Sequence, residues 1–245
     1  MISYEKSRVK VRSDIPEAET RAWERLAKPG TWWTGAERVA IAAEARAARD
    51  CALCLERLEA VSPEAAQGQH DGPGTLPEPA IDVIHRLSTD PGRLAKSWFE
   101  KVQASGIDDG RYVEIVGVVA TVMSVDFFCR GLGVPLHPLP EPQPGEPSRY
   151  RPDAAKPDGA WVPMLSAAEA MTGPEADLFG GRPRTGNVIR AMSLVPDEVR
   201  QLNDLSASHY LPIEDVGNPR AHRALDRAQT ELLAGRVSAL NECFY

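Results

Sequence analysis

A capped, alanine-rich helix that runs into a cysteine occurs twice in this chain, and that repeat limits the fold more than any other feature. The first copy extends from Thr34-Gly35-Ala36-Glu37 to Cys51-Ala52-Leu53-Cys54, the second from Asp226-Arg227-Ala228-Gln229 to Cys243. With Thr34 laid on Asp226 and no gap, Cys51 falls on Cys243. Thr34 with Glu37, and Asp226 with Gln229, have the spacing of capping boxes, in which side chains satisfy the orphan donors of a first helical turn. Neither run contains proline and both are rich in Ala and Leu, which is helix-forming composition. A self-similar pair of this kind points to two related helical units.

Few aromatic residues, much alanine and no long β-branched run make the expected fold class all-α. The pattern divides the 245 residues into a helical unit over 1–135, a Pro- and Gly-rich connector over 136–184, and the start of a second unit over 185–245. Within the first unit the expected helices run from Pro16 to about Ala27, Thr34 through the cysteines to about Ala60, Pro79 to Ser88, Leu94 to Ser105, and Asp108-Asp109 to Cys129. The stretch from Ser62 to Glu78 reads as a surface loop. The connector centres on Pro138-Leu139-Pro140-Glu141-Pro142, whose composition is extended and semi-rigid. A net charge of −7 with scattered Lys and Arg gives no electrostatic case for nucleic acid or an anionic membrane. The longest apolar run, Tyr112 to Cys129, carries Glu114 and Asp126 and reads as a buried core helix. The N-terminus has no apolar signal core, so the expected compartment is the cytoplasm, where a CxxC serves redox or metal chemistry more often than a disulfide scaffold.

A CxxC on a helix sets two sulfurs about one turn apart, close enough for a disulfide where the backbone permits. A zinc site needs two further ligands. Cys129 and Cys243 are the other cysteines and form no second CxxC, so neither a metal nor a cofactor is expected. His70, His137, His209 and His222 fall in or beside loops without a ligand spacing, and Trp32, Trp33, Trp98 and Trp161 read as core or staple residues.

Eleven residues separate Glu231 from Cys243, as in the pattern Glu-x11-Cys-x2-Cys-x3-His. On that spacing, the stretch Ala224 to Cys243 resembles the active-site helix of the alkylhydroperoxidase D / carboxymuconolactone decarboxylase family, and its related seleno-containing branch. Tyr112 to Pro135 is similar to the helix that closes that family's bundle. The resemblance implies an all-helical, oligomeric protein that reduces small hydroperoxides at the expense of a thiol reductant. The second cysteine attacks the peroxide, the first resolves it as a disulfide, and Glu and His relay protons.

Residue by residue, the resemblance is incomplete. Cys51 and Cys54 match the resolving and attacking cysteines, but Val39 stands at the acid position and Leu58 at the histidine position. Glu37 is accounted for by its cap, and Glu44 is nearer in sequence. His85 could supply a proton from a neighbouring helix, although a satisfied structural histidine is the favoured reading. In the second unit Glu231 and Cys243 are present, and the chain ends one residue before the attacking position, as expected if a selenocysteine codon were read as a stop. The candidate catalytic residues are therefore Cys51, Cys54, Glu231, Cys243 and His85. Three readings stand: a thiol peroxidase, a degenerate helical protein acting in assembly or binding, and a lactone decarboxylase of the same fold, against which the retained CxxC argues.

Overall fold

The computed structural model describes residues 1–221, 223–241 and 243; His222 and the terminal Phe244-Tyr245 of the second copy lie outside the described residues. Among the described residues ten α-helices are arranged as α1 (Asp14–Ala27), α2 (Gly35–Ala47), α3 (Ala52–Glu59), α4 (Glu78–Thr89), α5 (Lys96–Ala104), α6 (Asp109–Leu132), α7 (Ala167–Ala170), α8 (Asn187–Arg190), α9 (Pro196–His209) and α10 (Arg227–Leu240). Among the described residues there is no strand, only one isolated bridge between Lys156 and Met164, and the all-α expectation holds.

The long helix α6 is the axis of the bundle. Asp108 caps it by accepting the Arg111 backbone N–H at 2.8 Å, and Gly133 ends it with φ 67°, a left-handed conformation open to glycine. Its Val and Ile side chains are buried around much of the circumference, because α2, α4 and α9 all pack against it. By length and composition α6 could cross a bilayer, but most of its apolar stretch is buried inside this fold. Against α6, helices α2 and α4 also meet each other, and α1 bridges α2 and α9.

The stretch expected as a connector does more than link. Val162, Leu165, Leu178 and Phe179 from it are buried in the same cluster as Ile41, Ile84 and Ile115 of the first unit, together with Leu194 and Val199. Proline and glycine set its backbone, while isolated apolar residues between them anchor it, so composition alone read it as a spacer. Trp33 and Trp98 are core residues as expected, whereas Trp161 is exposed, stacking on Phe99 with ring centroids 5.9 Å apart.

Both capping boxes form. Thr34 accepts the Glu37 N–H at 3.3 Å while the Glu37 carboxylate accepts the Thr34 N–H at 2.8 Å, and Asp226 with Gln229 repeats the exchange. Thr34→Ala is expected to destabilise the fold by about 1 kcal/mol, read as a shift in the urea midpoint at unchanged slope. The two capped helices differ in what they bury. α2 inserts Ile41, Ala42 and Ala45 into the core, but α10 has no buried residue and exposes Leu232, Leu233, Val237 and Leu240.

One expected helix is broken. The run from Thr34 to about Ala60 stops at Ala47, passes through a single 3-10 turn, Ala48–Asp50, and restarts at Ala52. Cys51 sits between the two segments in extended conformation (φ −68°, ψ 123°) as the N-cap of α3. The restart has a tertiary cause: Asp71, from the loop after α3, accepts the Ala52 N–H at 2.8 Å and so caps α3 from outside.

Candidate active site

The break turns the dicysteine into a helix N-terminus, the position where the backbone dipole and free N–H groups favour a thiolate. Cys51 and Cys54 are free thiols with their residues 0% and 1% exposed, so both sulfurs face inward. Three pieces of chain enclose them. α2 brings Glu44, the loop after α3 brings His70 and Asp71, and α4 brings Asp82 and His85, which share a face at i and i+3.

The geometry is nearly symmetric. His85 Nδ1 lies 3.3 Å from Cys54 Sγ, and its Nε2 lies 3.2 Å from Glu44 Oε2. His70 Nδ1 lies 3.6 Å from both Cys51 Sγ and Cys54 Sγ, and its Nε2 lies 3.1 Å from Asp82 Oδ1. Each imidazole thus faces sulfur through Nδ1 and a carboxylate through Nε2. Arg57 of α3 donates to Asp82 Oδ1 at 2.7 Å, and the Gly74 N–H donates to Glu44 Oε1 at 2.7 Å. The loop packs closely over Glu44: a Cβ on Gly72 would come within 2.2 Å of Glu44 Oε2, so that approach needs glycine.

The two histidines are held in different charge states. Burial disfavours the His70 cation, yet Asp82 and the two sulfurs outweigh it and push its pKa up to about 10. Burial, with the charge of His70 beside it, pushes His85 down, so its neutral ring donates Nε2–H to Glu44 and turns the Nδ1 lone pair to Cys54. Burial alone would raise the Cys51 thiol, but the backbone amides of Cys54 and Asp71 and the His70 ring bring it below the ordinary cysteine value. Burial also acts against the Asp82 carboxylate, and His70 and Arg57 hold its pKa low in spite of that.

Of the five candidate residues, the fold brings together Cys51, Cys54 and His85. Glu231 lies elsewhere, pairing with Arg227 at 2.7 Å and with the Tyr210 hydroxyl, and Cys243 is exposed. Glu44, His70 and Asp82 complete the site, although sequence spacing lends Glu44 and His70 no special support and does not single out Asp82. Leu58, at the family's histidine position, is exposed, while His85 reaches the sulfur from another helix. The expectation that no ligand set exists rested on counting cysteines. The sulfurs of Cys51 and Cys54 and one ring nitrogen each of His70 and His85 all lie within 4.8 Å of one another.

Compared with known proteins, the chain matches no family model, no curated protein and no solved structure.

Proposed function

We propose that Cys51 and Cys54 form a dithiol–disulfide centre that reduces small hydroperoxides. The observation that carries this reading is the relay Cys54–His85–Glu44, in which a neutral imidazole accepts from the thiol and is oriented by a buried carboxylate. His85 takes the Cys54 proton, and the thiolate attacks one peroxide oxygen. The O–O bond breaks, the alcohol leaves with the proton returned by His85, and Cys54 becomes a sulfenic acid. The Cys51 thiolate, beside the His70 imidazolium, then attacks the Cys54 sulfur, and hydroxide leaves as water with a proton from His70. The product is a Cys51–Cys54 disulfide, and an external dithiol returns it to the reduced state by exchange. Both sulfurs are enclosed, which favours small substrates.

That same enclosure favours a second reading, in which the site is structural and the protein acts by assembly or binding. Thiol titration of metal-free Cys243→Ser protein separates the two. Loss of the two CxxC thiols on addition of hydrogen peroxide, with recovery by a dithiol, is expected for the redox centre. Unchanged thiols in folded protein would leave the structural reading alone.

A further inference from the structure

We infer that the Cys51, Cys54, His70 and His85 side chains form a four-ligand site for a thiophilic divalent cation, zinc foremost. This goes beyond the redox reading and does not depend on it. The first argument is metric. A tetrahedral zinc with Zn–S near 2.3 Å and Zn–N near 2.0 Å has sulfur–nitrogen edges of about 3.5 Å. The three such edges seen here are 3.6, 3.6 and 3.3 Å, and every remaining donor pair falls within 4.8 Å. His70 Nδ1 is equally far from both sulfurs, a position in which its single proton serves only one of them. An ion at the centre of the four atoms satisfies both contacts at once.

The second argument lies one layer out. A histidine that binds a metal through one nitrogen characteristically donates its other N–H to a carboxylate, which fixes the ring and strengthens the ligand. Both histidines here do so, and with the same polarity: Nδ1 inward in each, Nε2 on Asp82 for His70 and on Glu44 for His85. A proton relay to one cysteine needs one such pair. Two, converging on two thiols, are the outer carboxylates that would hold both histidines of a closed site in place. Arg57 and the Gly74 N–H in turn hold the two carboxylates, so the outer layer is itself anchored.

The third argument is chemical. Two thiolates and two neutral imidazoles are a borderline-soft donor set, which suits zinc and disfavours magnesium or calcium. All four ligands come from within the protein and both cysteines are buried, leaving no coordination position open to water, as in structural sites. The ligands come from the α3 N-terminus, the following loop and α4, so bound metal would pin that loop to the helices it crosses.

Cobalt(II) is the direct probe, added to the reduced, chelator-treated full-length chain carrying Cys243→Ser. One equivalent is expected to give the intense red-region ligand-field bands of tetrahedral cobalt and a thiolate charge-transfer band in the near ultraviolet, both lost when zinc is added. His70→Gln and Cys54→Ser are each expected to abolish the tetrahedral spectrum. Asp82→Asn leaves all four ligands in place and is expected to keep the spectrum but weaken the affinity by about 10–100-fold. Circular dichroism reports whether each variant is folded. A folded, reduced parent without those bands, or a His70→Gln protein whose spectrum is unchanged, would overturn the inference. Peroxide treatment of the metal-free protein is read separately, so inert thiols there would remove the peroxidase reading and leave the metal site standing.

Discussion

Metal-free protein carrying Cys54→Ser is expected to lose hydroperoxide consumption altogether, whereas Cys51→Ser is expected to retain one event per chain and then stop. The asymmetry follows from which sulfur faces the neutral imidazole. Cys54 lies 3.3 Å from His85 Nδ1, the ring nitrogen free to accept a proton, whereas the ring hydrogen-bonded to Cys51 is His70, 3.6 Å from both sulfurs, whose pKa is pushed up to about 10 and which is already charged. Without Cys54 no sulfenic acid forms. Without Cys51 it forms and cannot be resolved, so mass spectrometry should find one added oxygen, trapped by dimedone, on Cys54. Glu44→Gln probes the relay without touching sulfur. The carboxylate accepts from both the Gly74 N–H and His85 Nε2–H, and an amide has only one oxygen for the two donors. If the amide NH2 turns to His85, the ring is left as the Nδ1–H tautomer and its base is lost. A drop of about a hundredfold in the rate of thiol oxidation, with thiol content and fold unchanged, is the expected size for a positioned base. Equal rates in Glu44→Gln and parent would dismiss the relay.

Sequence patterning carried the helical class, both capping boxes and the CxxC, because each depends on residues within one or two turns of each other. The rest of the site depends on tertiary structure. Nothing between Ala47 and Ala52 breaks a helix by propensity, and the restart comes from Asp71, which lies 19 residues from the Ala52 N–H it caps. His70 sits in a Gly- and Gln-rich stretch where a histidine reads as solvent-exposed, yet that loop folds back over both sulfurs. Spacing placed the acid at Val39 and the base at Leu58, but proximity fills those positions from Glu44 on α2 and His85 on α4. The legible clue was on α4, where Asp82 and His85 lie three residues apart on one face. In α10, by contrast, the repeat preserved a cap and a cysteine offset without a buried face, so likeness in spacing did not carry likeness in packing.

Replacing Arg38 by methionine is expected to give the largest stability loss in the molecule, and a loss that depends on pH. Arg38 on α2 lies between two buried carboxylates, donating to Glu198 of α9 at 2.7 Å and to Glu114 of α6 through the same nitrogen. Gly117 leaves the space in which Glu198 lies, since a Cβ there would come within 2.2 Å of the carboxylate. All three side chains are at most 3% exposed, so the cluster ties together the helices that build the core. One guanidinium cannot neutralise two buried carboxylates, and a proton makes up the difference. Burial, opposed by Arg38 and reinforced by the charge of Glu198, pushes Glu114 up to about 7. Its folded value exceeds the unfolded one, so this group contributes stability fully present below about 4.5 and lost as the pH rises through about 7. At pH 8 Arg38→Met takes away the guanidinium between two buried carboxylates, which must then stay charged without it or draw a proton from a dilute pool, with an expected cost of about 3–5 kcal/mol. At pH 5.5 Glu114 is already neutral, so Arg38→Met strands less buried charge and the cost should be clearly smaller. Glu114→Gln supplies the control, because it removes the titrating group and should flatten the difference from the parent between pH 5 and 8. Urea midpoints for the three proteins at both pH values decide the matter: an Arg38→Met loss of the same size at pH 5.5 and pH 8 would rule out a proton shared within this cluster.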